Sequence, residues 1–146
     1  MLYRLVVWGG HETLVESLLE RGADANSYAG YHGTAMQAAC EEGHEQIVRL
    51  LLTKGAKICT IKGQNGNALT VASAKGYKNI VQTLLDNGAN VGEQGGRYGN
   101  ALQAASFGGH QEVVQVLLDR GASINALGEY YGAGHEDIVQ MLRSRA

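Results

Sequence analysis

Three stretches carry the same apolar stripe. Ile47, Val48, Leu51 and Leu52 recur as Ile80, Val81, Leu84 and Leu85, and again as Val113, Val114, Leu117 and Leu118. Spacing of i, i+1, i+4 and i+5 predicts a helix with one buried face. Upstream of each stripe lies a glycine followed by histidine or tyrosine: Gly43-His44, Gly76-Tyr77 and Gly109-His110. Before that glycine runs a short alanine-rich segment, with Ala38, Ala39, Ala104 and Ala105, opened by Thr34, Asn67 or Asn100. Those three residue types cap helix N-termini well, so a second, shorter helix is predicted after each. Small alanines let neighbouring helices approach closely. Gly22, Gly55, Gly88 and Gly121 end the striped helices at the left-handed C′ position. Arg21, Lys54 and Arg120 precede three of them and suit the negative helix end.

The pattern is periodic. Gly22-Ala23, Gly55-Ala56, Gly88-Ala89 and Gly121-Ala122 are each 33 residues apart, as are Gly10, Gly43, Gly76 and Gly109. A fixed period of this size signals stacked repeats that cannot bury their apolar faces singly. Between units lie connectors rich in glycine and tyrosine: SYAGYHG, TIKGQNG and GEQGGRYG. The last unit is eight residues short. Glu129, Tyr130, Tyr131 and Gly132 match Gly96, Arg97, Tyr98 and Gly99, but the counterpart of Asn100 to Phe107 is missing. A connector and a striped helix over residues 136–143, with Ile138, Val139 and Leu142 apolar, remain. Removing an inner helix predicts exposure of Leu102 and Ala105. Losing on the order of 300 Å² of burial would weaken the fold by about 7 kcal/mol. Three outcomes would answer that: residues 130–145 repack as one longer helix with Tyr130 and Tyr131 filling the gap, a second molecule covers it, or the end frays. At the other end, residues 1–7 fall in register with 34–40 but are bulkier, reading as an end unit or as part of a longer array.

The units GTAMQAACEEGHEQIVRLLLTKGA, GNALTVASAKGYKNIVQTLLDNGA and GNALQAASFGGHQEVVQVLLDRGA resemble ankyrin repeats. The wording departs from that family's Thr-Pro-Leu-His: here stand Thr34-Ala35-Met36-Gln37, Asn67-Ala68-Leu69-Thr70 and Asn100-Ala101-Leu102-Gln103. The Asn-Ala-Leu-Gln-Ala-Ala variant is similar to arrays common in filamentous fungi. The resemblance implies an all-α solenoid of helix-turn-helix units with β-turn fingers. It forms one domain of four full repeats, about 1–28, 29–61, 62–94 and 95–127, and a partial one over 128–146. It implies a non-enzymatic module that grips a protein or peptide partner in its concave groove. By analogy with arrays of this wording, the chain would be the recognition part of a larger, receptor-like fungal protein. Mapped onto this chain, the groove comprises Tyr31, His32, Gln64, Asn65, Arg97 and Tyr98 on the fingers, with Trp8, Glu41, Glu42, Lys75 and Phe107 on the inner helices. Tyr28, just before a finger, lies beside them. Aromatics and arginine are the residues that dominate interface energetics. Glu41 and Glu42 precede Lys75 and Arg97 along the groove, suiting a segment with one basic and one acidic end. The turn histidines His11, His44, His110 and His135 are implied to hydrogen-bond between repeats.

Composition narrows the function. A chain of 146 residues fits one domain, and a formal net charge of −2 supplies no basic field for nucleic acid. No apolar run approaches the roughly 18 residues of a spanning helix, and no cleavage signal follows the apolar start. Two cysteines, Cys40 and Cys59, point to a reduced compartment, the cytoplasm first and the nucleus second. Both are read as packing residues. With no proline and 21 glycines, glycine makes every sharp turn. Histidines a whole repeat apart cannot share a metal, and GEQGGRYG lacks the Lys-Ser/Thr of a phosphate loop. No cofactor, metal or catalytic residue is therefore expected. The alternative is a small-molecule binder or enzyme in the same groove, using His32, Glu41, Tyr31 and Tyr98 for acid–base work. Self-association through the shortened C-terminal end is the remaining partner expectation.

Overall fold

The computed structural model describes residues 7–28, 33–59, 64–127 and 136–145. Secondary structure among them is helical: α1 (Glu12–Glu20), α2 (Ala35–Glu42), α3 (Glu45–Thr53), α4 (Ala68–Lys75), α5 (Lys78–Asp86), α6 (Ala101–Gly108), α7 (Gln111–Asp119), a 3-10 turn (Ile124–Leu127) and α8 (Glu136–Arg145). Val7 and Trp8 close a further helical turn ahead of α1. Inner helices α2, α4 and α6 pack on one another in a row, and so do outer helices α1, α3, α5, α7 and α8.

The short inner helices start where the sequence says they should. Asn67 Oδ1 accepts from the Thr70 amide at 2.8 Å, and Asn100 Oδ1 from the Gln103 amide at 2.8 Å. Thr34 and Asn100 complete reciprocal capping boxes with Gln37 and Gln103. These boxes satisfy two otherwise orphaned helix-end donors each, which accounts for glutamine at the place of the family's histidine. Gln37 also donates to the Gly66 carbonyl, tying α2 to the next finger.

The core is the stripe and the alanines. Ile47, Val48, Leu51, Ile80, Val81, Leu84, Val113, Val114 and Leu117 are buried with Ala39, Ala72 and Ala105. Repeats lock at their turns. His44 Nε2 lies 3.2 Å from the Trp8 carbonyl and His110 Nε2 2.8 Å from the Ala74 carbonyl, each reaching one repeat back. Tyr77 takes the same place, its ring against Gly43. At Gly76, where φ is +78°, a Cβ would sit 2.4 Å from His110 Nδ1, so the corner admits only glycine. His11 has no such partner among the described residues, and His135 lies outside them.

Two expectations are corrected. Leu102 and Ala105 are not uncovered: they are 1% and 0% exposed, and the 3-10 turn Ile124–Leu127 packs against α6. Cys59 is not a packing residue: it is exposed, whereas Cys40 is fully buried. The expected repacking from Tyr130, the roles of Tyr130 and Tyr131, and the reading of residues 1–6 fall outside the described residues. The last outer helix is docked, through buried Ile138 and Leu142, and runs two residues beyond the predicted end.

Candidate functional site

Two successive fingers stack on each other at Gln64 and Arg97. The Arg97 amide donates to the Gln64 carbonyl at 3.1 Å, and within its finger the Gly95 amide donates to the Gly99 carbonyl at 2.9 Å. Gly96, at φ +66°, lies so close that a Cβ there would be 2.2 Å from the Gly66 nitrogen. One finger is thus pressed onto the previous one, backbone on backbone. An antiparallel bridge between Tyr28 and Thr34 closes the base of the finger before them.

The predicted groove residues fall into two groups. At the N-terminal end the half-exposed Trp8 donates its indole N–H to the Glu42 carboxylate. Glu41 accepts from Asn65 Nδ2 at 3.2 Å, linking an inner helix to the next finger. Gln64 is exposed at that finger, and its carbonyl holds Arg97. At the far end Arg97 places its guanidinium 4.7 Å from the centroid of the Tyr98 ring and donates to the Tyr98 hydroxyl at 2.6 Å. Tyr98 in turn leans on Phe107, centroids 6.1 Å apart, and Phe107 is 63% exposed at the end of α6. Lys75, exposed at the end of α4, stands on the intervening repeat and makes no ion pair among the described residues. Tyr31 and His32 lie outside the described residues.

A concave pocket of about 560 Å³ opens at the Arg97 end, lined by Gln94, Arg97, Tyr98, Gly99, Gln103 and Phe107. Three of these escaped the sequence reading. Gln103 was recoverable, because a glutamine three residues after an asparagine cap is held at the finger–helix junction; its Oε1 accepts from the Asn100 amide at 2.9 Å. Gly99 could be placed from the same junction. Gln94 carries no signal.

Acid–base chemistry finds little support here. Glu41 is engaged by Asn65, and Tyr98 by Arg97. Burial pushes the Cys40 thiol far above its usual value. Cys59 is raised too, first by burial and then by the charge of Glu93, which disfavours the thiolate. Among the described residues no group of three or more His, Cys, Asp or Glu side chains could hold a metal ion, and no helix is long and apolar enough to cross a membrane.

A row of helix pairs with stacked lateral fingers defines a helical repeat solenoid, whose partners meet an extended face. The family described as Ankyrin repeats (3 copies) matches residues 3–95 and 59–128, and the chain belongs to it. Such repeats are generally protein–protein interaction modules and typically non-enzymatic. Among curated proteins no match to the chain is found.

Proposed function

We propose that this chain binds an extended segment of a partner protein along the face made by its fingers and inner-helix ends, without covalent chemistry. The repeats 1–28, 29–61, 62–94, 95–127 and 128–146 act as one rigid reading surface. The observation that carries this is the chain of contacts from Arg97 to Tyr98 to the exposed Phe107, beside a pocket lined by these three residues. Aromatics and arginine held in place lose little freedom on binding, which is what interface anchors require. The acidic pair Glu41 and Glu42 at one end and Arg97 at the other favour a segment whose two ends carry opposite charge. In this reading the chain is the recognition part of a larger, receptor-like fungal protein in the cytoplasm, with Tyr31 and His32 extending the surface on their finger.

Affinity capture tests it. A triple variant, Arg97→Ala with Tyr98→Ala and Phe107→Ala, is compared with wild type and with an outer-face control, Gln82→Ala. Partners of the wild type that are lost by the triple variant and kept by the control support the groove; partners that survive the triple variant refute it. The pocket volume also falls within the roughly 300–1,000 Å³ of small-molecule sites, so a metabolite screen with heat-shift readout is the matching test of a small-ligand reading.

A further inference from the structure

We propose that the Arg97 pocket is a specificity site for a carboxylate side chain directly next to a bulky apolar one, an Asp or Glu beside an aromatic or aliphatic residue in the partner segment. This rests on the groove-binding reading and names what one end of that groove selects.

The pocket's charge is one-sided. Among its described lining residues only Arg97 is charged, and none is a carboxylate. Elsewhere among the described residues Arg49, Arg120 and Arg145 each meet a carboxylate, Glu45, Asp86 and Asp119 respectively. Arg97 instead meets the Tyr98 ring and hydroxyl. That contact leaves the cation without a carboxylate partner among the described residues, and a guanidinium held against an aromatic still offers further N–H donors in carboxylate geometry. Phe107 supplies an apolar wall beside the cation, its ring against Tyr98 and most of its surface open. One side chain of the segment can meet the guanidinium while its neighbour covers Phe107. Gln94 and Gln103 at the rim are neutral and add no second charge. A single cation matches a carboxylate better than a phosphate, whose protein sites gather several arginines.

The test uses the full chain, nitrogen-15 labelled, titrated with acetylated and amidated hexapeptides, so that no free terminus competes. The probes are Gly-Ser-Glu-Phe-Ser-Gly and its Gln-Phe, Lys-Phe and Glu-Ser counterparts. Shifts are expected at the Arg97, Tyr98 and Phe107 amides, with the Glu-Phe probe about tenfold or more tighter than the Gln-Phe probe. Arg97→Gln should shrink that ratio to about twofold or less while leaving the remaining spectrum unchanged, and added salt should weaken the Glu-Phe probe selectively. Equal affinities for the Glu-Phe and Gln-Phe probes, a preference that survives Arg97→Gln, shifts confined to other residues, or no binding at millimolar probe would each overturn the proposal. Failure here with success of the capture experiment would mean the groove binds by other chemistry. Failure of capture alone would leave the pocket's preference measured but not used for the partner.

Discussion

Arg145 holds Asp119, Nη1 to Oδ1 at 3.0 Å, in the way Arg120 holds Asp86 one repeat earlier. The first pair is 26 residues apart and the second 34, so the register is kept across a chain eight residues shorter. Apolar positions follow: Ile138 and Leu142 are buried as Val113 and Leu117 are. Val139, in contrast, is only half-buried where its counterpart Val114 is fully so.

The docking of α8 is therefore apolar first. Leu142→Ala is expected to lower stability by about 2–4 kcal/mol, measured by urea denaturation. Arg145→Ala should change it little, because exposed pairs contribute weakly. Its effect appears instead in acid titration. Gln115 first and Arg145 second hold the Asp119 carboxyl below its usual value. A depressed carboxyl stabilises the fold above its unfolded-state value and loses that contribution as pH falls through the folded one. In Arg145→Ala, the Asp119 carbon signal should titrate at higher pH than in wild type, with Gln115 still preventing a full return.

The finger stack gives a sharper contrast. Gly96→Ala places a methyl against the Gly66 backbone and adds left-handed strain. Gly55, at φ +81°, has nothing within 4 Å of a new Cβ, so Gly55→Ala meets the strain alone. Left-handed backbone costs an L residue about 1–2 kcal/mol. Gly55→Ala should lose that much, and Gly96→Ala clearly more, because backbone atoms cannot move aside as a side-chain tip can. Calorimetry of the two variants, with exchange of the Arg97 amide as a local probe of its bond to Gln64, checks the ordering.

Ser73 and Ser106 occupy the buried slot that Cys40 fills, and their hydroxyls have no hydrogen-bond partner among the described residues. A buried hydroxyl left unpaired is destabilising by about 1–3 kcal/mol. Ser73→Ala and Ser106→Ala are thus expected to raise the melting temperature, and Cys40→Ser to lower it, in the same thermal scan.

Legibility in the sequence followed locality. Stripes, caps and turn glycines announce themselves because each acts within a few residues: Asn67 caps Thr70, and Gly76 turns at its own φ. The one-repeat reach of His110 was implied by the family resemblance, and its acceptor, the Ala74 carbonyl, came only with the fold. What stayed hidden depends on surfaces distant in the chain. Nothing near Leu102 signals that it stays buried, and nothing near Cys59 signals that it is exposed. Glu41 and Glu42 read as one acidic patch, yet they are split between Asn65 and Trp8, because each is oriented by a different repeat. Tyr98 and Phe107 were both identified as groove residues, but their contact and Arg97's placement on the ring needed the folded finger.

Trp8 is the single tryptophan of the chain and stands at the end of the groove opposite the Arg97 pocket, 40% exposed and bonded to Glu42. It is a built-in gauge of how much of the face a ligand covers. A short probe seated on Arg97 and Phe107 should leave Trp8 emission and its iodide quenching unchanged. A segment that spans the face has to lie over Trp8 or break its bond to Glu42, so emission should shift and quenching fall. Glu42→Gln keeps a hydrogen-bond acceptor but removes the charge: the probe at the far pocket should bind it as it binds wild type, while a spanning segment with a basic end loses affinity, by about tenfold for one interaction with a charged partner. Titrations of both ligands against both proteins, followed by fluorescence, separate a continuous groove from an isolated pocket: a spanning segment that leaves Trp8 untouched would confine recognition to the Arg97 end.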